Sequence, residues 1–245
     1  MLKEDERIFI EGAEKIGINL KKKHIEKFSC YLDLLIEWNR KINLTSLKTP
    51  QEIIIKHFLD SLTCIKVIDL YSNIDKISMI DIGTGAGFPS IPIKIIHPSI
   101  ELFLMEARKK KSIFLEKLIK ALNLKRIRIL EGRAETFGKC QKHREKYDIS
   151  ISRAVAPLNV LSEYCLPLTR IGGLFIAQKG RSYKGEVEKG IKAIQFLGGE
   201  LIKVEKIQIP FINQYHYLLI SNKKKNTPLE YPRKEGLPQK RPLYF

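Results

Sequence analysis

The stretch that most constrains this chain is Met79–Pro92, reading Met-Ile-Asp-Ile-Gly-Thr-Gly-Ala-Gly-Phe-Pro-Ser-Ile-Pro. A short apolar run ends in Asp81. Gly83, Gly85 and Gly87 then follow at alternate positions, before Phe88 and Pro89. This pattern reads as a buried strand that feeds a loop whose backbone must pass close to something. In an α/β sheet, the turn after the first strand is where a nucleotide-like ligand sits. A dinucleotide loop needs Gly-x-Gly-x-x-Gly, but the third glycine falls on Phe88 when counted from Gly83, and the count from Gly85 fails as well. Pro89 and Pro92 also remove amide donors near the helix start, where a pyrophosphate would be held. The loop therefore suits a ligand without phosphates. A purely structural turn would not require three alternating glycines behind an acid.

The surrounding pattern supplies the fold. Strands are expected near 77–82, 100–106, 126–130, 147–151 and 172–178, with helices near 91–96, 108–122, 157–167 and 184–196. Two further β-like runs, near 201–209 and 215–221, are separated by turn residues. Alternation of this kind predicts a mostly parallel sheet covered by helices on both faces. The final antiparallel hairpin is the pattern of the class I methyltransferase fold, a Rossmann-like α/β architecture. Residues 1–70 form a helical extension, 71–221 the core and 222–245 a basic tail. In the extension, Ile25, Phe28, Leu32, Leu35, Ile36 and Asn39 mark one helix face, and Trp38–Thr45 breaks it. Thr49-Pro50-Gln51-Glu52 then starts a new helix with a capping box and Pro at the first position. Its apolar face, Ile53, Ile54, Phe58, Leu62 and Ile65, is spaced for packing on a sheet.

S-adenosylmethionine is a phosphate-free adenosyl ligand that fits such a loop. Its ribose would take Glu106 at the end of the second strand, and its adenine the Ala134-Glu135 pair after the third. Asp81 would face its cationic amino-acid end. The carboxyl ends of consecutive strands are where doubly wound sheets bind ligands.

With these residues in place, the chain resembles the RsmG (GidB) family of bacterial methyltransferases. The matching segments are Trp38–Thr45, His57–Leu62, Asp81–Pro89, Arg133–Glu135, Ile151–Ala154, Gln178–Gly180 and Tyr231–Pro238. Ser90 stands where the family usually has glycine. The resemblance implies methylation of a guanine N7 in small-subunit (16S) ribosomal RNA, in the loop named 530, at guanine 527 of the standard rRNA numbering. It also implies that Gly83, Phe88, Ala134, Glu135 and Arg153 bind cofactor, and the loop reading adds Asp81, Thr84, Gly85, Gly87 and Glu106. The Asn-Pro-Pro-Tyr motif that holds an exocyclic amine in many methyltransferases is absent after the fourth strand, which favours a ring nitrogen as acceptor.

Guanine N7 presents a lone pair and carries no proton, so an in-line transfer needs no general base. No catalytic residue is therefore assigned, and His57 is expected to be structural or a neighbour of the cofactor. The scattered cysteines (Cys30, Cys64, Cys140 and Cys165) argue against zinc and against a disulfide framework. No metal is expected.

Charge points to the partner. There are 44 Lys+Arg against 27 Asp+Glu, a formal net charge of +17, and such a field favours polyanions. A lysine-rich proteome is the alternative source of that excess. From Glu106 to Arg133 there are ten Lys/Arg against three Glu, a run that fits either RNA contact or a solvated face. Arg133 and Lys179, at strand ends, are the better substrate contacts. The tail, with seven Lys/Arg and four prolines from Ser221 onward, reads as extended. It fits a solvated arm as well as an RNA-contacting one. No apolar run reaches membrane length and the N-terminus is too acidic for a signal peptide, so a cytoplasmic protein is expected. Nothing demands a dimer. The competing functions are a basic ribosome-assembly protein that keeps the fold without turnover, and a methyltransferase of another substrate.

Overall fold

The computed structural model describes residues 1–71, 77–180 and 184–244; of Tyr71 and Lys184 only the backbone is described. Phe245, the last residue of the expected tail, lies outside the described residues. Seven strands form one sheet in the order β3-β2-β1-β4-β5-β7-β6. They are β1 (Ser78–Ile82), β2 (Glu101–Glu106), β3 (Ile127–Glu131), β4 (Tyr147–Arg153), β5 (Thr169–Lys179), β6 (Gly199–Gln208) and β7 (Tyr215–Lys223). The first five are parallel, and β7 inserts antiparallel between β5 and β6. This is the class I methyltransferase fold. The strand order reverses between β1 and β4, so the crevice at their carboxyl ends is the binding position for this topology. β5 begins at Thr169, ahead of the expected 172, and the pairing shifts register between Tyr147 and Ile149 to admit the extra residues.

The helices of the extension are α1 (Lys3–Lys15), α2 (Lys22–Asn39), α3 (Pro50–Ile53), α4 (Asp60–Leu62) and α5 (Ile65–Tyr71), with a π-helical turn at Ile54–Leu59 joining α3 to α4. The capping box at the start of α3 is formed: Glu52 N–H donates to Thr49 Oγ1 at 3.2 Å, and the Glu52 carboxylate accepts from Thr49 N–H. The apolar face of this helix is buried, chiefly against other helices and less against the sheet than its spacing predicts. Phe58 packs beside Phe9 of α1 and Phe28 and Tyr31 of α2, with ring centroids 5.0–5.8 Å apart. The break after α2 has a single cause. Asn39 Oδ1 accepts from Leu44 N–H and Thr45 N–H, and its Nδ2 donates to Thr45 O, all at 2.9 Å. One side-chain amide thus folds the loop from Arg40 to Thr45 around itself.

Across the sheet lie α6 (Ser90–Ile96), α7 (Lys109–Ala121), α8 (Ala134–Lys139), α9 (Leu158–Cys165) and α10 (Lys184–Phe196). One buried cluster runs from Phe9 and Phe28 through Phe88 to Leu102, Ile151 and Ile220, so the extension shares its core with one face of the sheet. The opposite face packs on α9 and α10 through residues such as Phe175, Leu161 and Ile194.

The tail is neither a free arm nor extended throughout. It straps across α8 and α9 and includes a short helix, α11 (Leu237–Lys240). Pro238 sits in that helix's first turn, where its missing N–H costs nothing. Two of the seven basic residues counted there are structural. Lys223 ends β7, fully buried, donating to Leu166 O at 2.8 Å and pairing with Glu145 at 3.3 Å. Burial moves its pKa down to about 8. Arg233 forks onto the buried Glu163 carboxylate at 2.6–3.1 Å. Arg144 holds the strap by donating to the carbonyls of Thr227, Pro228 and Tyr231. Arg233→Ala would leave Glu163 charged and unpaired inside the protein. We expect it to lower the unfolding free energy by about 3 kcal/mol in urea denaturation, whereas a free arm would show no change.

Candidate active site

The glycine loop leaves β1 and adopts left-handed backbone at Gly83, Gly85 and Gly87, with φ of 71°, 61° and 101°, a region that only glycine enters freely. At Gly83 space adds to the demand, because a Cβ would stand 2.6 Å from Val155 Cγ2. The loop is tied to β2 by Gly83 N–H and Thr84 N–H donating to Met105 O at 3.0 and 3.1 Å. Beneath it, Thr84 Oγ1 donates to Asp81 Oδ2 at 2.8 Å, while Oδ1 of that carboxylate makes no hydrogen bond among the described residues. Asp81 is wholly buried, directly beneath the loop. Burial lifts its pKa to about 7, opposed by the hydrogen bond from Thr84 and by the Arg153 charge. Ser90, Ile91 and Pro92 at the start of α6 are buried too, leaving no exposed helix end for a phosphate.

Two clefts meet at Val155. The first is lined by Gly83, Glu106, Ala107, Gly132, Arg133, Ala134, Glu135, Tyr164 and Gln239, among others. Glu106 accepts from Gly85 N–H at 3.0 Å on one oxygen and from Arg108 N–H at 2.8 Å on the other. Each carboxylate oxygen retains a lone pair for a ribose hydroxyl, so this wall suits the adenosyl group. Glu135 is buried in the same cleft, with Oε1 accepting from Gly236 N–H of the strap at 2.9 Å. Arg133, expected at a strand end near the cofactor as a substrate contact, lines this cleft and faces Glu235 of the strap at 3.8 Å. Exposed Arg108, Lys109 and Lys110 open α7 beside the loop, and Lys111 Nζ lies 3.8 Å from where a Cβ of Gly85 would be.

The second cleft, about 580 Å³, is lined by Lys56, His57, Asp60, Arg153, Gln178, Lys179, Glu186 and His216, among others. Arg153 organises it. Its guanidinium donates to Asp60 Oδ2 at 2.9 Å and to His57 Nδ1 at 3.1 Å, and lies 5.0 Å from the Phe88 ring centre. Phe88 stacks on His57 at 4.5 Å and on Tyr31 at 5.2 Å. Tyr31 in turn donates to Ala86 O of the glycine loop at 2.6 Å. His57 Nδ1 lies 3.1 Å from both an Arg153 guanidinium nitrogen, which only donates, and Lys56 O, which only accepts, while Nε2 lies 2.7 Å from Thr45 Oγ1. Desolvation, reinforced by the Arg153 charge, moves His57 down to about 3, so the ring is neutral and both nitrogens are engaged. Fully buried Asp60 also meets His216 Nδ1 at 2.6 Å. Lys179 lines the cleft but is committed to Glu186 at 2.7 Å and to Ala156 O.

Phe88 and Arg153 thus stand together, Gly83, Glu106, Ala134 and Glu135 line the neighbouring cleft, and Gly85 and Gly87 shape the loop between them. Sequence reasoning missed Asn39, Thr45, Asp60 and His216, which hold or extend the Arg153 cluster. Asn39 and Thr45 lie in the motif that breaks α2, and the π-helical turn carrying His57 is a local feature frequent at functional sites.

The profile of the GidB family, described as rRNA small subunit methyltransferase G, matches residues 24–217. A protein of Desulforamulus reducens named Ribosomal RNA small subunit methyltransferase G is 48% identical over 233 residues, covering 95% of this chain and 96% of the relative. One of the same name from Alkaliphilus metalliredigens is 42% identical over 240 residues, covering 98% and 99%. The chain belongs to this family. Membership places it among S-adenosylmethionine-dependent methyltransferases of small-subunit ribosomal RNA. Among solved structures, NSun6 from Pyrococcus horikoshii with SFG gives a TM-score of 0.54 at 16% identity over 69% of this chain and 52% of that one. M. jannaschii TYW2 in complex with AdoMet gives 0.50 at 14% identity over 66% and 74%. At such identities these two likenesses establish the fold alone.

The buried acid under the loop leaves a pH signature. A carboxyl raised from 3.8 to about 7 binds its proton more tightly folded than unfolded. The stability this confers is present at low pH and lost as pH rises through 7. His57, lowered from 6.5 to about 3, acts oppositely, and stability falls as pH drops from 6.5. Asp81→Asn is neutral at every pH, so its Tm should exceed the wild-type value by a few degrees at pH 8 and by much less at pH 5. Equal shifts at both pH values in calorimetry would contradict the assignment.

Proposed function

We propose that the protein transfers a methyl group from S-adenosylmethionine to N7 of a guanine in 16S ribosomal RNA. The observation that carries this reading is the pair of clefts meeting at Val155, one walled for an adenosyl group and the other built around Arg153.

S-adenosylmethionine, when bound, supplies an electrophilic methyl on a sulfonium. Glu106 would hold the ribose, the turn from Gly132 to Glu135 the adenine, and the bare backbone at Gly83 and Gly85 would let the methionine portion pass close. Thr84 and Gly87 keep the loop's path, and Asp81 places a carboxylate beneath it. Phe88, locked between His57, Tyr31 and Arg153, would form the floor at the reacting centre. The guanine N7 lone pair forms the new bond to carbon as the carbon–sulfur bond breaks in line, and its electrons stay on sulfur. No proton moves, because N7 carries none. His57 suits that chemistry by staying neutral, since an imidazolium there would oppose the positive charge arriving on the base. Rate acceleration would then come chiefly from alignment, which can supply roughly 7–11 kcal/mol.

N7 faces the deep major groove of paired RNA, so an unpaired or loop guanine is the expected target. The basic residues at the start of α7 would hold phosphates beside it. Labelled methyl transfer tests this reading. Small-subunit RNA or subunits lacking the modification should take up label that nuclease digestion returns as 7-methylguanosine. Label in any other nucleoside, or none, would refute it. Arg153→Ala should cut the single-turnover rate by about a hundredfold through misplacement of Phe88 and His57.

A further inference from the structure

The strap brings one uncommitted polar side chain to the cofactor cleft. Gly236 N–H donates to Glu135, Glu235 pairs with Arg133 and with Thr136 Oγ1, and Arg233 forks onto Glu163. These anchors fix α11, whose Pro238 is buried. Gln239 follows on the cleft rim, lining it together with Gly132, Arg133, Ala134 and Glu135. Its side chain is exposed, and its carboxamide makes no hydrogen bond among the described residues.

The geometry of the cleft fixes what stands opposite. Glu106 ends β2 and would take the ribose, so the base would extend past Ala107 toward the turn from Gly132 to Glu135, beside Gln239. Glu135, the polar partner expected there from sequence, gives one oxygen to the strap. A carboxamide offers an acceptor and two N–H donors side by side, the complement of the 6-amino group and adjacent ring nitrogen of adenine. We propose that Gln239 reads the amino edge of the cofactor's adenine, making the C-terminal strap part of the cofactor site. The proposal rests on S-adenosylmethionine being the ligand of this cleft.

The test is a double cycle by calorimetry on the full chain. The ligands are S-adenosylhomocysteine and its purine analogue lacking the 6-amino group, each against wild type and Gln239→Ala. Wild type should bind the analogue roughly three- to tenfold more weakly. Gln239→Ala should bind S-adenosylhomocysteine more weakly by a similar factor, with the difference between the two ligands abolished and Tm unchanged. Unchanged affinity in Gln239→Ala overturns the proposal and leaves the cofactor reading intact, as does a weaker affinity that keeps the full penalty for the analogue. Wild type that binds neither ligand overturns both.

Discussion

The contact between the loop after β1 and the end of β4 is the constraint on which the rest of the site depends. Glycine at position 83 lets Val155 approach to a distance that any side chain would forbid, and that contact sets where the two clefts meet. Everything nearby serves to hold the same arrangement. Thr84 ties the loop to Asp81 below, Tyr31 ties it to the helical extension, and Phe88 is stacked from two sides. Arg153 reaches from the end of β4 to bind Asp60 and His57. The extension is therefore part of the site. Its aromatic cluster buttresses Phe88, and Thr45 of its Asn39–Thr45 turn holds Nε2 of His57.

Electrostatics follows from burial. Asp81, His57, Asp60 and Arg153 are all removed from water to differing degrees. Burial raises the pKa of Asp81 and lowers that of His57. A neutral His57 beside a permanent guanidinium leaves a cleft that can accept a base gaining positive charge without adding a second titrating cation. The Arg153–Asp60 pair is better understood as a positioning device than as a source of stability, because buried ion pairs return little net free energy.

The parts of the fold written in local pattern were legible in the sequence. Strand alternation, the capping box at Thr49 and the glycine spacing all act through neighbouring residues. Glu106 and the Phe88–Pro89 pair were legible because strand ends in this topology have fixed meaning. What escaped was tertiary. That Glu163, deep in α9, would capture Arg233, or that Lys223 would be buried, depends on pairings across 70 and 78 positions respectively (Glu163 to Arg233, Glu145 to Lys223). Charge composition alone made the tail look like an arm, and its docking turns two of those charges inward. Asp60 and His216, separated by 156 residues, meet for the same reason.

We propose that alignment, and no general base, drives methyl transfer. The single-turnover rate at saturating cofactor, followed from pH 6.5 to 9, tests it most directly. A flat profile is predicted for Asp81→Asn, in which position 81 no longer titrates near 7, since N7 carries no proton and His57 stays neutral throughout that range. A rate rising tenfold per pH unit to a plateau would reveal an ionising base and contradict the account.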